Sequence, residues 1–342
     1  MTTVLRKLLP LLLALCLSPV ALAGETLRVL TWPGYADPDW VQAFESRFKV
    51  SVEVTFVGSD DEMWERANSK AFDVIAANTA ELQRYIDREL VVPLRLANVP
   101  NTQQQSARFR STANIPGITR KGVPYAVPFT YSAMGIIYNR KLVPKAPASI
   151  NALWDPKYRG KVLAYNGSSH NFSLAALSLG VSDPFHLSQP QFVQAENRLK
   201  QLRDSALVFY SKPEQVVELF RTKEVALVWA NYGDQQVQQL EKAGADIGYV
   251  IPKEGALAWL DCWAVMRGAK NRALAEAWIN FTLTPEVSAQ LTARQGLANT
   301  LASGGGGGAR PEDKLIWLEP VEDYPRRTQY WEHLMAGSDK AR

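Results

Sequence analysis

The chain has 342 residues, 46% hydrophobic and 21% charged, with 38 basic against 34 acidic side chains and a formal net charge of +4. Acids and bases are well mixed along it, which leaves no basic footprint for nucleic acid or an anionic membrane surface. The length is enough for two cores of ordinary domain size.

The first segment reads as a processing signal. Arg6 and Lys7 precede a short apolar run from Leu8 to Leu17, and Ala21-Leu22-Ala23 is a small-x-small cleavage pattern. The apolar run is shorter than the ~20 residues a membrane span needs. Leu15 stands before Cys16, where a lipidation signal wants a small residue. Removal of residues 1–23 leaves 319 residues and takes away Arg6 and Lys7, so the formal charge falls to +2. The expected product is a secreted, soluble protein whose single remaining cysteine, Cys262, is a buried inert thiol among apolar neighbours.

From Gly24 onward strands and helices alternate. Leu27–Thr31 reads as a buried strand, and Pro38–Phe48 places Trp40, Val41, Phe44 and Phe48 at helical spacing. Ser51–Val57 is a strand, Asp60–Asn68 a helix behind an aspartate cap, Phe72–Ala77 a strand and Ala80–Glu89 a helix. Gly122–Pro128 carries two prolines and is expected to be an extended connection rather than an interior strand. A second alternating series follows Met134–Tyr138. It has strands at Val162–Tyr165, Leu207–Tyr210, Val225–Ala230 and Asp246–Ile251, with helices at Asn171–Leu179, Gln191–Ser205, Glu214–Thr222 and Gln235–Ala243. Asp261–Met266 is a further strand, followed by helices at Asn271–Leu283, Pro285–Arg294 and Thr328–Ala336. Gly304–Gly308 reads as a flexible loop, not a phosphate cradle, because Ala309-Arg310-Pro311 supplies no following helix start. This pattern predicts two α/β halves joined by extended segments, with a cleft between them.

Candidate binding residues converge on that cleft. Trp259 and Asp261 lie two apart on an extended segment, so their side chains point the same way. An aromatic face beside a negative charge suits an amine or ammonium guest. Trp32 and Tyr35 follow the first strand, Trp229 ends a later one, and all three are placed as further walls of a cage. Asn78 follows the third strand; Ser168, Ser169 and His170 follow a strand of the second half.

The chain resembles the periplasmic solute-binding proteins of ABC importers, specifically the spermidine/putrescine-binding group, over nearly its whole mature length. The carriers are Leu30-Thr31-Trp32-Pro33-Gly34-Tyr35, Phe72-Asp73-Val74-Ile75, Val127-Pro128-Phe129, Gly135-Ile136-Ile137-Tyr138-Asn139 and the run from Leu153 to Val162. Ala226-Leu227-Val228-Trp229 and Pro252-Lys253-Glu254-Gly255, with Trp259 and Asp261, complete the set. The resemblance implies a type II periplasmic-binding-protein fold: two α/β lobes, each a mostly parallel sheet flanked by helices, closing on ligand. It implies one lobe from 24–131 plus 261–301 and the other from 132–260 plus 302–342. It also implies a monomer in the periplasm that delivers a small cationic amine to a permease driven by an ATPase, without a cofactor. By motif position Trp32, Tyr35, Trp229 and Trp259 match the aromatic cage, and Asp261 the carboxylate that pairs an amine.

Three departures bear on the ligand. Pro33-Gly34 replaces an acidic or hydroxyl residue inside the W-x-x-Y motif, Asn166–Phe172 carries none of the carboxylates expected there, and a family tyrosine is replaced around Leu297. One amine site is intact and the other is not, so a polyamine and a monocationic amine or amino acid such as γ-aminobutyrate both stay open. Asp60, Asp61 or Glu81 could restore a second acid. Presentation of ligand to a sensory receptor would use the same binding chemistry. An enzyme is not expected: adjacent Ser169 and His170 do not face each other, and the three histidines are too scattered for a zinc site.

Overall fold

The computed structural model describes residues 25–58, 60–68, 72–115, 117–302 and 313–337. The expected signal segment, residues 1–23, and the Gly304–Gly308 run lie outside them. The first half opens with β1 (Thr26–Thr31), α1 (Pro38–Phe48), β2 (Ser51–Phe56), α2 (Asp60–Ala67), β3 (Val74–Asn78), α3 (Thr79–Asp87) and β4 (Val91–Val92). A connecting region follows, with α4 (Ala107–Arg110) and the short ladder of β5 (Thr119–Arg120) with β6 (Val123–Pro124). Next come β7 (Ala126–Ala133), β8 (Ile136–Asn139), β9 (Val162–Tyr165), α5 (Ser168–Ser178), α6 (Gln189–Ser205), β10 (Ala206–Tyr210), α7 (Pro213–Thr222), β11 (Leu227–Trp229), α8 (Asp234–Lys242) and β12 (Ile247–Val250). The chain then returns through β13 (Ala256–Met266), α9 (Arg272–Thr282), α10 (Pro285–Gln295), β14 (Ala298–Asn299), β15 (Leu315–Trp317) and α11 (Tyr324–Ala336).

These strands form two main sheets. The larger has the order β14-β7-β13-β3-β1-β2, with β15 and β4 also paired to β13; the smaller has the order β10-β9-β11-β8-β12. Both are mixed rather than mostly parallel. β1 lies parallel to β2 and β3, and β9 parallel to β10 and β11, whereas β13 meets β3 and β7 antiparallel and β8 meets β11 and β12 antiparallel. The antiparallel pairs arise where the chain crosses between the halves and comes back.

Alternation along the strands fills a core on each sheet face. On β13, Trp263 and Val265 join Trp40, Phe44 and Trp278 on one face, and Leu260, Cys262 and Ala264 join Ile75 and Tyr85 on the other. In the smaller sheet Val162 and Ala164 face one cluster and Leu163 and Val228 the opposite one. β13 and β7 run side by side between the two halves: Leu257 and Met134 belong to the core of the smaller sheet, Trp263 and Val127 to that of the larger.

One expectation fails here. Pro128 lies inside β7, an interior strand, rather than in a mere connection. The ladder accommodates it with a register slip: Asp261 pairs Thr130 and Cys262 pairs Pro128, so one residue of β7 is skipped. β14 reaches only Thr130 and Tyr131, and the Pro128 carbonyl is met instead by the side chains of Gln105 (2.7 Å) and Thr300 (3.3 Å). The missing N–H is tolerated where no ladder bond is required of it.

Candidate functional site

Asp261 stands in the middle of β13, opposite Asn78 of β3 on one side and Thr130 of β7 on the other. Its side chain is 7% exposed. The Tyr35 hydroxyl donates to Asp261 Oδ2 at 2.6 Å. Tyr35 is brought there by a tight turn: its N–H donates to the Trp32 carbonyl at 3.2 Å, Pro33 is the second residue and Gly34 the third, with φ of +88°. This is type II turn chemistry, in which proline presets one dihedral and glycine supplies the positive φ. A β-carbon on Gly34 would also fall 2.5 Å from the Gln295 side chain. The Pro33-Gly34 departure is therefore what aims the Tyr35 ring, edge-on against Phe129 with centroids 5.3 Å apart, at Asp261.

Burial pushes the Asp261 carboxyl up to about 7, against the opposing effect of the Tyr35 hydrogen bond. The Tyr35 phenol is raised well above its ordinary value, first by burial and then by the neighbouring charge. Among the described residues no basic side chain is bonded to Asp261. A carboxylate removed from water without a counter-charge is costly, and such groups mark sites that await one.

Trp259 stands two residues before this acid on β13, and Trp32 opens the turn that carries its phenol partner. Trp32, half-buried, donates its indole N–H to the Ala76 carbonyl at 3.0 Å and packs against the cores on both faces of the larger sheet. Trp259, also half-buried, packs against cores of both halves and donates to the Asn231 carbonyl at 3.2 Å. Trp229 is placed differently from the cage wall expected of it. It is fully buried within the core of the smaller sheet and donates to the Met134 carbonyl at 3.1 Å, so it underlies the cluster against which Trp259 leans. It ends the strand as expected, but alternation turns its side chain inward.

Asn78 is first a helix cap: its Oδ1 accepts from the Glu81 N–H at 3.0 Å, and its Nδ2 donates to Asp60 Oδ1 at 3.1 Å. Asp60 thus sits one side chain beyond Asp261 along the edge of the larger sheet. Glu81 is committed to Arg84 at 2.5 Å, and the Asp61 side chain lies outside the described residues.

The wall contributed by the smaller sheet starts at the carboxyl end of β9. Ser168, Ser169 and His170 open α5. His170 Nδ1 shares a hydrogen bond with Asn231 Oδ1 at 3.0 Å, and its ring stacks on Tyr165 with centroids 5.9 Å apart. Burial lowers its pKa, the Asn231 bond opposes this, and nearby Arg327 lowers it further, so the ring is neutral at neutral pH. Ser169 uses its backbone, whose carbonyl accepts from Arg327 at 3.1 Å; Ser168 Oγ meets Thr328 Oγ1 at 3.2 Å. No cluster of His, Cys, Asp or Glu fit for a metal ion occurs among the described residues. Tyr165, Tyr232 and Asn231 were not singled out by sequence. Tyr165 ends a parallel strand, and that position alone would have flagged it.

The fold and the buried acid between two sheets define a ligand-capturing, two-lobed binding protein. The chain belongs to the bacterial extracellular solute-binding protein family, whose model matches residues 39–303. It is 25% identical over 273 residues to the spermidine/putrescine-binding periplasmic protein of Escherichia coli K12, covering 78% of this chain and 75% of that protein. Its fold is similar to that of the spermidine/putrescine ABC transporter substrate-binding protein PotD from Streptococcus pneumoniae, with a TM-score of 0.73, 20% identity and coverage of 92% of this chain and 99% of that one. The Atu4243-GABA receptor is also similar, with a TM-score of 0.65, 18% identity and coverage of 81% and 83%.

Proposed function

We propose that this chain captures a polyamine of the putrescine or spermidine kind in the periplasm and hands it to the permease and ATPase of an ABC importer. The observation that carries the reading is Asp261, buried and bonded, among the described residues, only to a neutral phenol, with the half-buried indole of Trp259 two residues away on the same strand and Trp32 opening the turn that carries the phenol. An ammonium there gains a charge-assisted partner and an aromatic face together. The spermidine/putrescine- and putrescine-binding roles of the related Escherichia coli proteins support the same class of ligand. The division into lobes is 24–131 with 261–301 and 132–260 with 302–342, except that β15 and the start of β13 stay with the larger sheet, and ligand contacts on both sides favour the closed form by their differential affinity. The protein acts as a monomer, exported by its N-terminal signal, and binds rather than transforms its ligand.

A second reading is a monocationic amino acid such as γ-aminobutyrate, favoured by the lack of any carboxylate in Asn166–Phe172 at the start of α5. Isothermal titration of ligand-stripped protein with putrescine, spermidine, γ-aminobutyrate and a quaternary amine decides between them. Tight binding of a di- or polyamine is the expected result. Binding of γ-aminobutyrate alone would move the ligand to the second reading, and no binding of any amine would overturn the role of Asp261.

A further inference from the structure

The two half-buried indoles of the site hang from different kinds of acceptor. Trp32 donates to the carbonyl of Ala76 in β3, a strand paired on one side with β1 and on the other with β13, so its acceptor is fixed by a sheet. Trp259 donates to the carbonyl of Asn231, which lies in the turn between β11 and α8. No ladder sets the height of that carbonyl, and its place depends on whatever holds the turn.

Both sheets hold it. From the larger sheet, Ser132 Oγ of β7 accepts from the Asp234 N–H at 3.1 Å, and a β-carbon on Gly233, whose φ is +50°, would overlap that oxygen. From the smaller sheet, the Gly135 carbonyl accepts from the Ala230 N–H at 2.9 Å, and the Tyr210 hydroxyl from the Asn231 N–H at 3.0 Å. The N–H and the carbonyl of Asn231 belong to different peptide planes that meet at its Cα. The bond to Tyr210 therefore leaves the carbonyl plane free to turn. That plane is held at its far end, where the Tyr232 N–H donates to Gln236 Oε1 at 3.0 Å, and at its Cα by the Asn231 side chain. Asn231 is 6% exposed, and its Oδ1 shares a hydrogen bond of 3.0 Å with His170 Nδ1. His170 is itself placed by the first turn of α5 and by its stack on Tyr165. One residue thus ties β10 through its N–H, β13 through its carbonyl and α5 through its side chain.

We infer that Asn231 is a positioning residue for ligand capture: by tying the turn after β11 to His170, it sets the Trp259 indole and the aromatic face offered beside Asp261. The inference rests on the amine reading of Trp259 and Asp261 and deepens it. Asn231 acts through the indole and need not touch the ligand. A ring held in one orientation loses less side-chain freedom when an ammonium settles on it, and it keeps the distance that a cation–π contact requires. The bond also joins a strand of the larger sheet to a turn of the smaller one, so the ring is set by both walls.

The test is a double-mutant cycle on putrescine affinity, read by isothermal titration, with thermal unfolding as the check on folding. Asn231→Ala removes the hold on His170 and should weaken binding by about five- to tenfold, the worth of one buried hydrogen bond. Trp259→Phe keeps a ring but loses the indole N–H, and should weaken binding as well. Adding Asn231→Ala to Trp259→Phe should then change affinity by less than about twofold, because the two act as a unit. If Asn231→Ala does not fold, His170→Phe, which keeps a ring against Tyr165 but cannot hold the amide, takes its place in the cycle with the same expectation. Losses that multiply in the double variant overturn the inference, since Asn231 would then act without the indole. A folded Asn231→Ala that binds as tightly as wild type overturns it too, and leaves Asp261 as the amine acceptor. Failure of wild type to bind putrescine would remove the amine reading and the inference with it.

Discussion

The two walls of the cleft are built by different means. On the larger sheet the acid, its phenol partner and the indoles come from strand positions and one tight turn: Asp261 and Trp259 on β13, Trp32 and Tyr35 after β1. On the smaller sheet the rings of Tyr165 and His170 are held by side chains from elsewhere, Asn231 above and Arg327 behind. A wall made of local backbone pattern is readable from residues in a row. The Tyr35–Asp261 bond, across 226 residues, and the supports of the other wall, across 61 and 158 residues, are not readable in that way.

The largest effect should come from the support of the second wall. Arg327 is fully buried, bonded to Glu322 at 2.6 Å, to Ser173 Oγ at 2.8 Å and to the carbonyls of Ser169, Pro184 and Phe185. Arg327→Met strands the Glu322 charge and several acceptors, and should cost about 3–5 kcal/mol of stability. Chemical denaturation measures it. A loss below about 1 kcal/mol, the range of an exposed pair, would show that this wall does not depend on the arginine.

Asp261→Asn comes next and should act on binding instead. Loss of the carboxylate that pairs a desolvated ammonium should weaken amine binding by about 2–4 kcal/mol. The fold should not suffer, since the buried charge has no counter-ion to lose. A melting temperature several degrees below wild type at pH 8 would contradict that separation of binding from folding. Gly34→Ala has the smallest effect of the three. It forces a positive φ on alanine and sets its β-carbon against Gln295, for about 1–3 kcal/mol. Because the turn aims Tyr35, amine affinity should fall as well, and retention of full affinity would mean that the Tyr35–Asp261 bond is dispensable.

The same contrast explains how far the sequence could be read. Helical spacing of Trp40, Phe44 and Phe48 located α1 to the residue, and the i, i+2 relation of Trp259 to Asp261 survived intact. Pro128 misled because whether a ladder needs a given N–H depends on the partner strand's register, which local sequence does not carry. Trp229 misled for a related reason: being last in its strand says where the residue is, but sheet pairing decides which face its ring takes. Asp60 is visible as an acid at a helix start, but its bond to Asn78, the strand partner of Asp261, is not.

The pH dependence of putrescine binding in wild type and Asp261→Asn tests the account most directly. Burial holds Asp261 up to about 7 in the folded chain against an ordinary 3.8, so between these values the ligand-free fold carries a proton that the unfolded chain has lost. That contribution to stability is present at low pH and disappears as pH rises through about 7. Binding an ammonium requires the deprotonated form and runs the other way. Titration calorimetry from pH 5.5 to 8 should show wild-type affinity rising by up to about tenfold per unit below pH 7 and levelling above it. Asp261→Asn should be weak and flat across the range. A wild-type affinity independent of pH, or an Asp261→Asn protein that binds as tightly as wild type, would contradict the claim that this buried carboxylate is the ammonium acceptor.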